Sequence, residues 1–134
     1  MADFGVLNAM RQLLADDEGV QEKGYADHIH LAVPPQVKFP MIVLELEEVW
    51  TSMKLGSETA NTRLKLRASI MSKTPTGRES LRIAEQIREM MDGKILPLLE
   101  GKKGIVRLSS SVIDMPNMDR PRTVQQYYEV LIRG

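Results

Sequence analysis

A chain of 134 residues has the length of one domain, and such a domain buries roughly two-thirds of the surface its unfolded form exposes, so one unit spanning 1–134 is expected to fold without metal or disulfide. Its 18 Lys and Arg balance 18 Asp and Glu, which removes any net field drawing it to nucleic acid or membrane and argues against sequence-specific DNA binding. The absence of cysteine excludes thiol nucleophiles, Cys-based zinc sites and disulfides.

The opening stretch, MADFGVLNAMRQ, lacks a basic region followed by an apolar core, so no signal peptide is expected. The longest apolar runs, such as PMIVL, are too short to span a bilayer, and a soluble protein is expected. Asp3 can cap a first helix, and Phe4, Leu7, Met10, Leu13 and Leu14 recur at helical spacing, predicting a helix over 4–15. Asp16, Asp17 and Glu18 suit its negative end poorly, so the helix should stop there. Residues 19–27 read as a loop and 28–33 as a short extended piece.

Three prolines then fall within seven residues, at 34, 35 and 40. Proline offers no N–H to a neighbouring strand and pushes the residue before it out of the helical region. Residues 33–40 are therefore read as a stiff extended connector into a strand. From Met41 the pattern alternates, with Ile42, Leu44 and Leu46 on one face and Glu45 and Glu47 on the other. The run TRLKLRASI, at 62–70, supplies the partner: Leu64, Leu66, Ala68 and Ile70 face inward and Arg63, Lys65 and Arg67 outward. Antiparallel pairing sets acids across from bases, which holds register because a one-residue slip would bury the charges.

Between these strands, residues 50–61 (WTSMKLGSETAN) form a connection too long for a tight hairpin. Trp50, Met53 and Leu55 in it either fold back over the core edge or form an arm that meets another subunit. Thr74, Pro75 and Thr76 open a second helix, with Glu79 spaced as in a capping box and Gly93 suited to its end. Its inner face is read as Leu81, Ala84, Ile87, Arg88 and Met91. Residues 94–99 (KILPLL) run into the turn EGKKG, and two strands follow over 105–115 and 123–134. In the last, Val124, Tyr128, Val130 and Ile132 alternate with Gln125, Tyr127, Glu129 and Arg133. The expected fold class is α+β: two helices on one mainly antiparallel sheet, in the order α-β-β-(long loop)-β-α-β-β.

Catalytic and cofactor chemistry finds no purchase. The only histidines, His28 and His30, lie two apart and bring no third ligand with metal spacing. There is no G-x-S-x-G elbow, and neither GKKG nor TPTGRES has the frame of a phosphate loop. Glu47 and Glu48 read as a solvated strand end. Most of the methionines read as core fillers, while Met53, Met115 and Met118 fall in loops. No catalytic, cofactor-binding or metal residue is assigned, and no enzyme is expected.

The layout nonetheless resembles a known family. A helix leads to the proline-punctuated stretch VPPQVKFPMIVLE, then come a long polar loop, the strand TRLKLRASI, the helix TPTGRESLRIAEQIREMMDG and a two-strand ending. Over nearly the whole chain this resembles the tail-completion or tail-terminator proteins of long-tailed phages and prophages, the group related to the lambda-type minor tail protein U. The resemblance implies a structural virion protein, assembled in the bacterial host cytoplasm and placed at the head-proximal end of the tail. It implies a homo-oligomer, usually a hexameric ring, that ends tube polymerisation and meets a tail tube protein and a head-tail connector protein. Trp50, Met53, Leu55, Arg63, Lys65 and Arg67 then become candidate subunit or tube contacts. The competing expectations are another neck component, a connector or stopper, and a small dimeric α+β module that binds a ligand in a defined pocket.

Overall fold

Strand β3, Ala60–Ser72, organises the molecule because both of its edges are paired. The computed structural model describes residues 5–53, 60–73, 78–114 and 122–133. In chain order these form α1 (Val6–Ala15), α2 (Glu18–Lys23), β1 (Ile29–His30), β2 (Met41–Met53), β3, α3 (Arg78–Met91), β4 (Ile95–Pro97), β5 (Lys103–Asp114) and β6 (Arg122–Arg133). The sheet order is β1-β2-β3-β6-β5-β4. Among the described residues only the β1–β2 pair is parallel, so the sheet is mixed but mainly antiparallel, and the α+β class holds.

The alternation of β3 gives the sheet two chemically different faces. Leu64, Leu66, Ala68 and Ile70 are at most 1% exposed and lie under the helices, joined by Val124, Tyr128, Val130 and Ile132 of β6. Against them α1 presses Val6, Met10 and Leu14, and α3 presses Ile83, Ala84, Ile87 and Met91. A polar latch is buried in this apolar layer. The Tyr128 hydroxyl donates to Gln126 Oε1 at 2.9 Å, and Gln126 Nε2 donates to the Ala84 carbonyl at 2.7 Å. This ties α3 to β6 at one rotational setting, since a slip would strand buried polar groups.

Several expectations need correction. Within the expected loop 19–27, residues 19–23 belong instead to α2 (Glu18–Lys23), because Asp17 accepts from the Val20 N–H at 3.1 Å and restarts a helix where the first one stops. With β4 added, the described residues form three helices and six strands rather than two and five. Residues 50–53, 60 and 61 belong to strands, so the expected long loop shrinks to 54–59, which lie outside the described residues. The connector 33–40 is not straight. Since β1 and β2 run parallel, with Ile29 beside Ile42, the chain bends repeatedly to return, passing a cis Phe39–Pro40 bond.

His28 ends a short 3-10 turn, so the expected extended piece 28–33 begins only after it, and the Nδ1 of His28 donates to the Pro40 carbonyl at 2.6 Å. On α3 the inner face includes Ile83 and Ser80, whereas Leu81 and Arg88 point outward, Arg88 lying 3.8 Å from Glu85. Of the expected caps, Asp3 and Thr74–Thr76 lie outside the described residues. Glu79 accepts from the hydroxyl of Ser72, at 3.0 Å. Met115 and Met118 also lie outside them.

The corrected α3 face separates two substitutions. Ile87→Ala should lower the unfolding free energy by about 2–5 kcal/mol in a denaturant titration, and Leu81→Ala by less than about 1 kcal/mol. Alkali provides a second check. Burial first, and then the charge of Asp17, push the Tyr25 phenol up to about 12, and burial with Asp92 raises that of Tyr128 as well. Both pKa values are raised on folding, so this stabilisation is complete below about pH 10, the unfolded value. Stability should therefore fall as pH rises from about 10 towards 12, and denaturant midpoints should fall less steeply in Tyr25→Phe.

Candidate assembly surface

Among the described residues, the face of the sheet away from the helices is open to solvent from Glu45 to Trp50 on β2 and along the rows of β3, β6, β5 and β4 beside them, whereas Met41, Val43 and Ser69 on the same face are buried. Its residues stand in transverse rows set by the strand registers. One row runs Trp50, Arg63, Leu131, Ile105 and Ile95, each beside the next on β2, β3, β6, β5 and β4. Four inter-strand steps make it roughly 19 Å long. Trp50 is 40% exposed and Ile95 59%, while Leu131 and Ile105 are half-buried. The Arg63 guanidinium lies 4.6 Å from the centroid of the Trp50 ring. An apolar strip with an arginine stacked on an aromatic is the composition enriched at protein interfaces.

The adjoining rows are charged. Glu48, Lys65, Glu129 and Arg107 form the next, and Glu45, Arg67, Tyr127 and Ser110 the one after. A bulge at Glu47 in β2 creates this arrangement. The extra residue lets both Glu45 and Glu47 reach Arg67, at 3.0 and 2.9 Å, and moves Glu48 opposite Lys65. It also keeps Trp50 on the open face. Arg67 is thus held between two carboxylates, and the hydrogen bond to Glu45 raises its already high pKa. The Lys65 ammonium sits 5.2 Å from the centroid of the Tyr127 ring.

Four of the six sequence-named contact candidates, Trp50, Arg63, Lys65 and Arg67, therefore share one face on two paired strands. Trp50 reaches it from a strand and not from a loop. The side chain of Met53 and the whole of Leu55 lie outside the described residues. Leu131, Ile105 and Ile95 escaped the sequence reading, although Leu131 occupies an outward position among the polar residues of the last strand. On the opposite face, Leu46 and Val49 are 36% and 39% exposed, so the hairpin shows apolar surface on both sides beyond the helices. At the β5–β6 end the open face forms a shallow cavity of about 370 Å³ lined by Arg63, Ile105, Arg107, Glu129, Leu131 and Arg133.

Reactive chemistry is sparse. Among the described residues no group of three or more His, Asp or Glu is placed to hold a metal ion, and no helix is long and apolar enough to cross a membrane. The surface is suited to contact with another macromolecule.

Comparison with known proteins agrees with this character. One similar solved chain comes from a structure titled "Virion of native gene transfer agent (GTA) particle". It is 14% identical with a TM-score of 0.77, covering 96% of this chain and 95% of that one. A second solved chain is 12% identical with a TM-score of 0.62, covering 100% of this chain and 97% of its own. At these identities the likeness shows the fold alone. No curated protein sequence matches the chain. The family model described as "Tail completion protein gp17" matches residues 8–133, nearly the full length, and the chain therefore belongs to that tail completion family.

Proposed function

We propose that this protein caps the head-proximal end of a phage or prophage tail tube as a ring, usually of six copies, ending tube polymerisation and offering the surface on which the head connector docks. Membership of the tail completion family makes it a phage tail structural protein. The observation that carries the finer reading is the open sheet face, with its transverse strip of Trp50, Leu131, Ile105 and Ile95 flanked by charged rows. A monomer with no partner gains nothing from such a strip, whereas a subunit in an assembly buries it.

In this reading the whole chain works as one tail-terminator-like domain, with no catalytic step and no cofactor. Its partners are copies of itself, the tail tube protein and the head-tail connector protein. Trp50, Arg63, Lys65 and Arg67 lie in the contact surface of this reading, and Met53 and Leu55 join them as sequence candidates alone. The protein is a virion component, assembled in the host cytoplasm.

Tail assembly provides the test. Tails assembled without the protein should show a broad distribution of lengths by electron microscopy, and added protein should restore a uniform one. Uniform tails in its absence would rule out termination. For the surface, Trp50→Ala should change the unfolding free energy by about 1 kcal/mol or less, since the residue is half-exposed, while reducing the light-scattering mass from near six subunits. An unchanged ring mass would remove Trp50 from the contact.

A further inference from the structure

On the helix side, the C-terminal ends of α1 and α3 border a second shallow cavity, of about 410 Å³. Asp16, Asp17, Glu89 and Asp92 stand around it against a single base, Lys94, and Leu13 and Met90 add apolar surface. Among the described residues none of the four carboxylates forms an ion pair. Three carry neutral or backbone bonds: Asp16 accepts from Gln12, Asp17 from Val20 and Asp92 from the Leu108 N–H. Two helices direct their negative ends towards the same place. Asp16, Glu89 and Asp92 stand at the C-terminal ends of α1 and α3, an unfavourable place for an acid in an isolated subunit that a cationic partner would reverse, whereas Asp17 already serves as the cap of α2.

The arginine-lined end of the open sheet face has the opposite character. Arg63, Arg107 and Arg133 surround Leu131 and Ile105, with Glu129 the opposing charge. Arg107 and Arg133 form no ion pair among the described residues. The two regions lie on different layers of the subunit, and a head-to-tail contact requires two different, complementary surfaces. A two-fold contact through the sheet face alone would set arginine against arginine, whereas contact between unlike faces matches both sign and apolar content.

We propose that one copy seats the Arg63–Arg107–Arg133 end of its sheet face on the acidic cavity of the next copy, where Asp16 and Glu89 of that copy receive the guanidinium groups. This rests on the ring reading above and names the contact that builds the ring.

Paired charge reversal tests it. R107E/R133E reverses the sheet face and D16K/E89K the helix-end cavity; the four positions are exposed, and D16K and E89K favour the helix ends they occupy. Wild-type mass by light scattering should be near six subunits and should fall with added salt. Each variant alone should stay monomeric, and an equimolar mixture should regain the wild-type mass, because the two reversed faces match each other and the two native faces also match. Either variant forming rings alone, or a mixture that stays monomeric, overturns the proposal while the wild-type ring stands. Wild type that stays monomeric at every concentration and on tails sinks the ring reading and this contact together. Variants that form rings normally, with R107E/R133E alone failing to bind tails, would assign the strip to the tube protein instead. Should a reversed variant not fold by circular dichroism, R107Q/R133Q and D16N/E89Q decide the matter: each should weaken ring association at least tenfold, and unchanged association overturns the proposal.

Discussion

The period-two alternation of β3 is the constraint on which the rest of this molecule depends. Paired on both edges, the strand cannot shift without moving Leu64, Leu66, Ala68 and Ile70 out of the core and Arg63, Lys65 and Arg67 into it. Burying three cations without partners would cost far more than any gain in pairing. Register is therefore held by the penalty for error, and the transverse rows on the open face follow from it. The strip from Trp50 to Ile95 is a consequence of five strands held in one register.

Two departures from regularity tune that surface. The bulge at Glu47 gathers Glu45 and Glu47 around Arg67 and returns Trp50 to the face it shares with Arg63. A regular strand would have pointed Trp50 into the helix side. A second bulge in β5, between Leu108 and Ser110, keeps Ser110 beside Tyr127 and Val112 beside Gln125. Bulges are a means of bending strands and re-aiming side chains, and here they set what the open face presents.

The helices have a division of labour. α3 is fixed in rotation by the Gln126 latch to the Ala84 carbonyl, and α1 covers the remaining apolar surface through Val6, Met10 and Leu14. Their shared C-terminal direction concentrates negative charge on one side, while outward positions of β3, β5 and β6 carry most of the sheet's arginine. The chain has no net charge, yet an acid-rich patch at the helix ends and an arginine-rich one at the end of the sheet face differ in sign. A contrast of this kind supports directional assembly between unlike faces and disfavours pairing of like ones.

How much of this was legible in the sequence depended on the range of the interactions involved. Period-two alternation in 41–46, 62–70 and 124–132, and helical spacing in 6–14 and 80–91, are local signals, and they placed the main elements, the α+β class and the outward set Arg63, Lys65 and Arg67. The spacing could also have exposed Asp17 as a cap restarting a helix, since an Asp followed three residues later by a buried apolar residue is a local pattern. The hairpin's true length, the bulge at Glu47, the parallel return of β1 to β2 and the latch between Gln126 and Ala84 were decided only by tertiary pairing. Each depends on which distant strand or helix lies alongside, and no local periodicity encodes that. The strip itself is the clearest case: its five residues come from five strands separated by up to 81 positions, and only register brings them into line.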